Sequence, residues 1–419
     1  MTDPSETKLY RLLRWSERYA KTDMVYFASG GFWLIMNQIG LTLIGLGVSI
    51  VFGHFAAQDT YGNYRYVLIL AGLFASLSLS GLGISVAQSI ARGFDGALRQ
   101  GFRLSVRWSL GLVVFSLMGA GYYWFFQQNA FVAISCLIIA ISGPILNSAS
   151  LYDSFLGGKK MFKRQTIYDF FDALIPALLL AAAIFLTSRA ILLIIVYYAA
   201  NTVAALFFYL KTQRLAQNDT TDPELFRYSA HLSTMNIIST IADKIDSIAV
   251  FTILGPAQLA IYTYATLMPE QIKAIAKLLT PLSLAKFTLR TIQEIRLSIW
   301  RRLAIFLLTF AAAIALYILL APLLFKILFP VYLQSATYSQ WYALSIIFAV
   351  SAIPLSSVFQ AHKKTKELYI SNNGAAVLLI ILLPVLTYYY GIMGAVTAQL
   401  LYRAFGASIT AWQFMRMKE

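Results

Sequence analysis

Ala242-Asp243-Lys244-Ile245-Asp246 sets two carboxylates and an amine inside an otherwise apolar stretch. On one continuous helix Asp243 and Asp246 would share a face, with Lys244 turned about 100° away from Asp243. Such a set binds a cation or proton, contacts a polar substrate, or forms salt bridges that hold one conformation. Glu270, Lys273 and Lys277 recur at spacings of three and four, one polar stripe behind Pro269, which frees a backbone carbonyl and allows a bend. Lys277 reads as snorkelling to the interface, whereas Lys273 lies deeper. Arg403 and Arg65 have no acidic residue close by in their apolar runs; each is paired across helices or available to an anion, and a guanidinium fork suits phosphate oxygens. Asn37 and Gln38 need partners in a dry setting, as glue between helices or as contacts to sugar hydroxyls. Asp169 and Asp172 sit at a helix start beside a basic loop, where the helix dipole and loop pairing account for them.

The elements that carry these residues are membrane helices. Of 419 residues, 59% are hydrophobic and 12% charged, too little polar surface for a soluble fold of this length. Apolar runs long enough to cross a ~30 Å core fall near 28–52, 64–90, 104–126, 130–156, 167–187, 190–210, 231–254, 259–281, 302–329, 338–360, 368–390 and 394–415. The expectation is an all-α polytopic membrane protein of about twelve transmembrane helices. Residues 1–27 read as a basic amphipathic segment or charged flank, not a cleaved signal.

Charge sets the topology. Alternate breaks hold Arg92, Arg99, Arg103 and Arg107; Lys159, Lys160, Lys163 and Arg164; Lys211, Arg214 and Arg227; Lys286, Arg290, Arg296, Arg301 and Arg302; and Lys363, Lys364 and Lys366. The other breaks offer only Arg65, Arg189 and Lys326. Basic residues stay cytoplasmic, which puts both termini in the cytoplasm. The net charge of +15 is then topological, with some attraction to anionic lipid, and not a nucleic-acid surface.

The halves repeat at a spacing near 200 residues. Met36-Asn37 is matched by Met235-Asn236, Gly53 by Gly255, Tyr61 and Tyr64 by Tyr262 and Tyr264, and the lysines at 159–163 by those at 363–366. Six helices per half give two lobes, 28–210 and 231–419, joined by a cytoplasmic linker at 211–230 and related by a pseudo-two-fold axis along the membrane normal. That plan suits transport by alternating access.

No catalytic constellation appears, and no metal site is expected: Cys136 is the single cysteine, and His54, His231 and His362 are far apart. Gly81-Leu82-Gly83 lacks the context of a nucleotide fingerprint, and there is no Walker sequence. A membrane-embedded glycan polymerase or glycosyltransferase is the enzymatic alternative, but the outer loops leave little room for its catalytic residues.

Four segments then matter as an ordered set: Gly53 to Tyr64 (GHFAAQDTYGNY), Leu79 to Arg92 (LSGLGISVAQSIAR), Ile241 to Tyr264 (IADKIDSIAVFTILGPAQLAIYTY) and the lysine-rich loop after Gln360-Ala361. Together they resemble the O-antigen and capsule type polysaccharide flippases of the multidrug/oligosaccharidyl-lipid/polysaccharide exporter superfamily. The resemblance implies a flippase for undecaprenyl-diphosphate-linked oligosaccharide in the bacterial inner membrane, working beside polysaccharide polymerase machinery. Lipid II flipping and cation-coupled drug export are the alternatives within that superfamily. No cofactor is expected beyond sodium or proton coupling and the membrane potential. In that setting Lys244, Lys273, Arg403 and Arg65 would meet the diphosphate, and Asn37 and Gln38 the sugar. Asp243, Asp246 and Glu270 would serve a coupling ion or a gate.

Overall fold

The computed structural model describes residues 24–278, 280, 287, 292–362 and 364–417, and among these there is no strand. The basic N-terminal segment expected at 1–27 lies almost wholly outside the described residues, as do Lys286, Arg290 and Lys363. The helices are α1 (Met24–Phe55), α2 (Gln58–Ser76), α3 (Leu82–Ala91), α4 (Ala97–Trp108), α5 (Leu110–Phe125), α6 (Ala130–Ala149), α7 (Leu151–Gly158) and α8 (Phe162–Leu186). They continue with α9 (Ala190–Gln213), α10 (Leu225–Ala242), α11 (Ile245–Leu254), α12 (Pro256–Leu278), α13 (Ile292–Leu328), α14 (Ser335–Ala361) and α15 (Thr365–Arg416). Among the described residues, eight helical stretches are long and apolar enough to cross a bilayer. With α2–α3, α10–α11 and α12 added, and α15 divided at its kink, the count is about twelve segments.

The breaks have local causes. Between α2 and α3, Ser78 turns its hydroxyl onto the Ala75 carbonyl at 2.6 Å, and the Ser80 amide bonds the Ser78 carbonyl, so the serines take over helix hydrogen bonds. Gly255 adopts φ 90° and ends α11, a conformation that glycine adopts without strain, and Pro256 starts α12 where its missing N–H costs nothing. Gly391, at φ 59°, kinks α15 just after Tyr388, Tyr389 and Tyr390, three exposed tyrosines of the kind that anchor at a membrane interface.

The outside is apolar. Leu110, Val114, Leu117 and Met118 on α5, and Leu308, Leu316 and Leu319 on α13, are at least half exposed, as lipid-facing positions should be. This is a multi-pass membrane protein.

The chain divides into two compact units, residues up to Val51 with Phe74–Asn236, and Phe52–Leu73 with Ile237 onward. In the first, Leu82, Val86, Ile90, Leu98, Phe155 and Phe208 form a buried core. In the second, an aromatic core joins Phe52, Tyr61, Tyr64, Tyr264, Phe329 and Tyr332, with Tyr61 and Tyr264 rings 4.9 Å apart. Each such aromatic pair contributes about 0.5–1.5 kcal/mol beyond its buried area. These boundaries differ from the lobes expected at 28–210 and 231–419. Residues 52–73 group with the second unit because their tyrosines pack on Tyr264, and because Gly62 lies against the Pro256 backbone. A Cβ at Gly62 would come within 1.8 Å of the Pro256 carbonyl oxygen. The linker at 214–224 packs with the first unit, through bonds described below.

Candidate functional site

A set of polar residues of the second unit forms a network in two neighbouring layers on four helices. On α15, Gln399 and Arg403 are four apart and therefore on one face, about 6 Å from each other along the axis. Gln399 reaches the upper layer and Arg403 the lower.

In the upper layer Asp246, at the start of α11, is buried and accepts four hydrogen bonds. Ser247 donates from its amide at 2.6 Å and its hydroxyl at 3.1 Å to Oδ1; Tyr262 Oη and Gln399 Nε2 donate to Oδ2 at 2.7 and 2.9 Å. A carboxylate so surrounded by donors is satisfied as an anion. The Gln399 Oε1 atom, by contrast, is buried without a hydrogen-bond partner. Turning that amide over would present this acceptor to a protonated Asp246.

In the lower layer Arg403, with 8% of its side chain exposed, donates to Glu270 Oε1 and to Tyr342 Oη, both at 2.7 Å, and to Ser345 Oγ at 3.1 Å. Tyr342 donates in turn to Glu270 at 2.7 Å, and the guanidinium lies 4.7 Å from the centre of its ring. Lys273 forms an ion pair with Glu270 from one turn along α12. The lower layer therefore sets two cations, Arg403 and Lys273, against one carboxylate. An unpaired arginine in hydrocarbon costs at least about 2.5–3.5 kcal/mol, which explains why Arg403 is held by three partners.

Three of the residues expected from sequence, Arg403, Glu270 and Lys273, thus meet at Glu270, and Asp246 lies in the neighbouring layer, bonded to Gln399 one turn from Arg403 on α15. Asp243 does not share a face with Asp246. The helix breaks at Asp243–Lys244, leaving Asp243 exposed and Asp246 buried at the start of the next helix. Lys244 is half-buried at that break and makes no ion pair among the described residues. Arg65 is half-buried in the second unit, with a buried Nε that has no hydrogen-bond partner.

Asn37 and Gln38 belong to the first unit. Asn37 donates to Asp169 Oδ2 at 2.7 Å, and Tyr152 Oη bridges Asp169 and Asp172 at 3.0 and 3.1 Å. The two aspartates are thus tied to helices within their unit, where a loop and dipole explanation was expected. Gln38 is exposed and reaches Thr42 at 3.3 Å. Sequence reasoning missed Tyr342, Ser345 and Gln399. Gln399 was detectable by its four-residue spacing from Arg403; the other two carry no signal among 25 tyrosines and many serines.

Comparison with known proteins agrees with this architecture. The family model described as "Polysaccharide biosynthesis protein" matches residues 27–275. No curated protein sequence matches the chain. Among solved structures, an inward-facing multidrug resistance MATE family transporter of the MOP superfamily superposes with a TM-score of 0.66 at 14% identity. The match covers 90% of this chain and 94% of that one. The lipid II flippase MurJ in an inward closed conformation gives 0.64 at 13% identity, over 92% of this chain and 87% of that one. A MOP superfamily transporter from Pyrococcus furiosus, whose binding pocket is described as of reverse polarity, gives 0.63 at 14% identity, over 93% and 95%. The chain belongs to the polysaccharide biosynthesis protein family and has the helical membrane fold of the MOP superfamily transporters.

Proposed function

We propose that this protein is a flippase that moves undecaprenyl-diphosphate-linked oligosaccharide from the cytoplasmic to the outer leaflet of the bacterial inner membrane, by alternating access, for O-antigen, capsule or exopolysaccharide assembly. The observation that carries the reading is the lower layer of the network, where Arg403 and Lys273 face a single carboxylate, Glu270, within a family concerned with polysaccharide synthesis. A sugar head group cannot cross bare hydrocarbon, because each unpaired hydroxyl costs several kcal/mol. A diphosphate is recognised by a guanidinium fork and an amine, and its oxygens can replace Glu270 as their partner. The tyrosine, serine and glutamine of the network supply the donors and acceptors that sugar hydroxyls require.

Outward movement of a diphosphate is favoured by an inside-negative potential, by ~2.3 kcal/mol per charge per 100 mV. Asp246 is the group that would take up a coupling proton or sodium ion. Both termini are cytoplasmic in this reading, following the basic residues.

The test is made in cells that depend on the chain for surface glycan. When it is depleted, the lipid-linked glycan should accumulate in a form protected from glycan hydrolase added to spheroplasts. Surface glycan at its normal level, with the lipid-linked pool still open to the hydrolase, would contradict the proposal.

A further inference from the structure

A second polar site lies at the end of the first unit where the basic residues gather. Arg99, Arg103 and Arg107 are spaced by four on α4 and form one stripe along it. They line an open cavity of about 420 Å³ together with Gly96, Gln100, Asp219 and Thr221. The walls are built. Gln100 exchanges two hydrogen bonds with the Asp222 backbone, at 2.9 and 3.0 Å. Asp95, fully buried, accepts from the Gln217 amide at 2.8 Å and pairs with Lys159 at 2.6 Å. A Cβ at Gly96 would strike the Asp219 carbonyl oxygen at 2.4 Å, so the linker backbone closes tightly over the start of α4.

Only one of the three arginines has an anionic partner among the described residues. Arg99 bonds Asp219 at 2.9 Å, whereas Arg103 and Arg107, both exposed, pair with no carboxylate. Depth decides what they face. Trp108 follows Arg107 directly and stacks on Phe226 at 5.1 Å, and α5 from Leu110 to Phe125 holds no charged residue. An exposed tryptophan at the start of an apolar run marks the boundary of the hydrocarbon. At about 1.5 Å per residue, Arg107 lies at that boundary, Arg103 about 6 Å above it and Arg99 about 12 Å above it. A headgroup layer is roughly 5–8 Å thick, so Arg103 and Arg107 fall inside it and Arg99 stands in water with its aspartate.

We propose that this cavity binds a phosphate-bearing anion through Arg103 and Arg107, with Gln100 and Thr221 beside it, and that the ligand is the headgroup of an anionic phospholipid of the cytoplasmic leaflet. A soluble phosphate is the other source of the same chemistry. The site is separate from the Arg403 network, and its occupation does not depend on what the protein transports.

The test uses the full chain purified in neutral detergent, with bound phosphatidylglycerol and phosphatidylcholine counted by native mass spectrometry. Wild type should retain phosphatidylglycerol preferentially, and Arg103→Gln/Arg107→Gln should lower that retention roughly tenfold. Arg103→Lys/Arg107→Lys should fall between them, because lysine keeps the charge and loses the fork. Arg189→Gln/Lys326→Gln, an equal loss of charge elsewhere, should leave retention unchanged. All three substituted pairs are exposed, so each protein should unfold at the wild-type temperature. Equal retention by wild type and Arg103→Gln/Arg107→Gln, or an equal loss in the Arg189 and Lys326 control, would overturn the site. Displacement of the lipid by millimolar inorganic phosphate would overturn the lipid as ligand and assign the cavity to a soluble phosphate.

Discussion

Arg403 Nη2 lies 2.7 Å from Glu270 Oε1, joining the last membrane segment to the eighth across 133 residues of sequence. The two partners are not equivalent. Arg403 is almost fully enclosed, while Glu270 keeps 32% of its side chain exposed and holds Lys273 and Tyr342 as well. Removing the carboxylate therefore strands a guanidinium in a dry setting, whereas removing the guanidinium leaves a carboxylate that is still paired. Glu270→Gln should accordingly destabilise the protein by about 3 kcal/mol, near the lower end for a broken buried pair, and Arg403→Gln by roughly half of that. The double variant should lose less than the two single losses combined. Thermal unfolding in detergent checks the order, and a larger loss from Arg403→Gln would show that Glu270 depends on Arg403 instead.

The Asp246 environment leads to a prediction about energy coupling. Asp246 is buried and bonded to Gln399, whereas Asp243 is exposed beyond the helix break. Asp246→Asn should make transport insensitive to imposed proton and sodium gradients, and Asp243→Asn should leave the wild-type response. Proteoliposomes with defined gradients test both. A gradient response retained in Asp246→Asn and lost in Asp243→Asn would move the coupling site to the exposed residue.

Close packing at Gly62 is a constraint on the second unit alone. Its Cβ position falls 1.8 Å from the Pro256 carbonyl oxygen, so Gly62→Ala forces backbone apart and should cost about 3 kcal/mol or more. Gly47→Ala is the control, because beyond the adjoining backbone of its own helix no atom lies within 4 Å of its Cβ position. There the added methyl should stabilise α1 by about 0.5–1 kcal/mol. Unfolding temperatures of the two variants should therefore move in opposite directions.

At the other end of the first unit, Asp95 pairs Lys159 and holds the Gln217 amide. Asp95→Ala would leave the half-buried Lys159 amine and the amide of the exposed Gln217 without this acceptor, a total loss of about 1–2 kcal/mol because water can reach both donors. The linker should then be cut several-fold faster by protease within residues 214–222, with little change elsewhere. Unchanged cutting would mean that the remaining bonds, of Gln100 to Asp222 and Arg99 to Asp219 among them, hold the linker without Asp95.

Much of the architecture was legible because the bilayer imposes it. Runs near 20 apolar residues have no alternative to helix, and the placement of spans such as Ala190–Gln213 follows from hydropathy alone. The break at Asp243–Lys244 was not legible, since nothing in that short sequence says which aspartate the following helix will bury. Nor was the grouping of residues 52–73 with the second unit, which depends on tyrosines meeting Tyr264 some 200 residues later. Arg403 was identifiable as a residue needing a partner, yet its sequence neighbourhood carries no acid. Glu270 was equally visible, and only the packing of α12 and α14 against one another and of α14 against α15 brings the two together. Tyr342 and Ser345 acquire their role solely through that packing.

In the proposed function the Arg403 and Lys273 charges recognise a lipid-linked diphosphate. The most direct test of this recognition is translocation of a fluorescent undecaprenyl-diphosphate oligosaccharide across proteoliposomes, comparing wild type with Arg403→Gln and Lys273→Gln in preparations shown to be folded. The wild type should transport it, each variant should lose tenfold or more, and the same glycan on an uncharged lipid should not be transported. Transport by both variants at the wild-type rate, or equal transport of the uncharged lipid, would contradict that recognition.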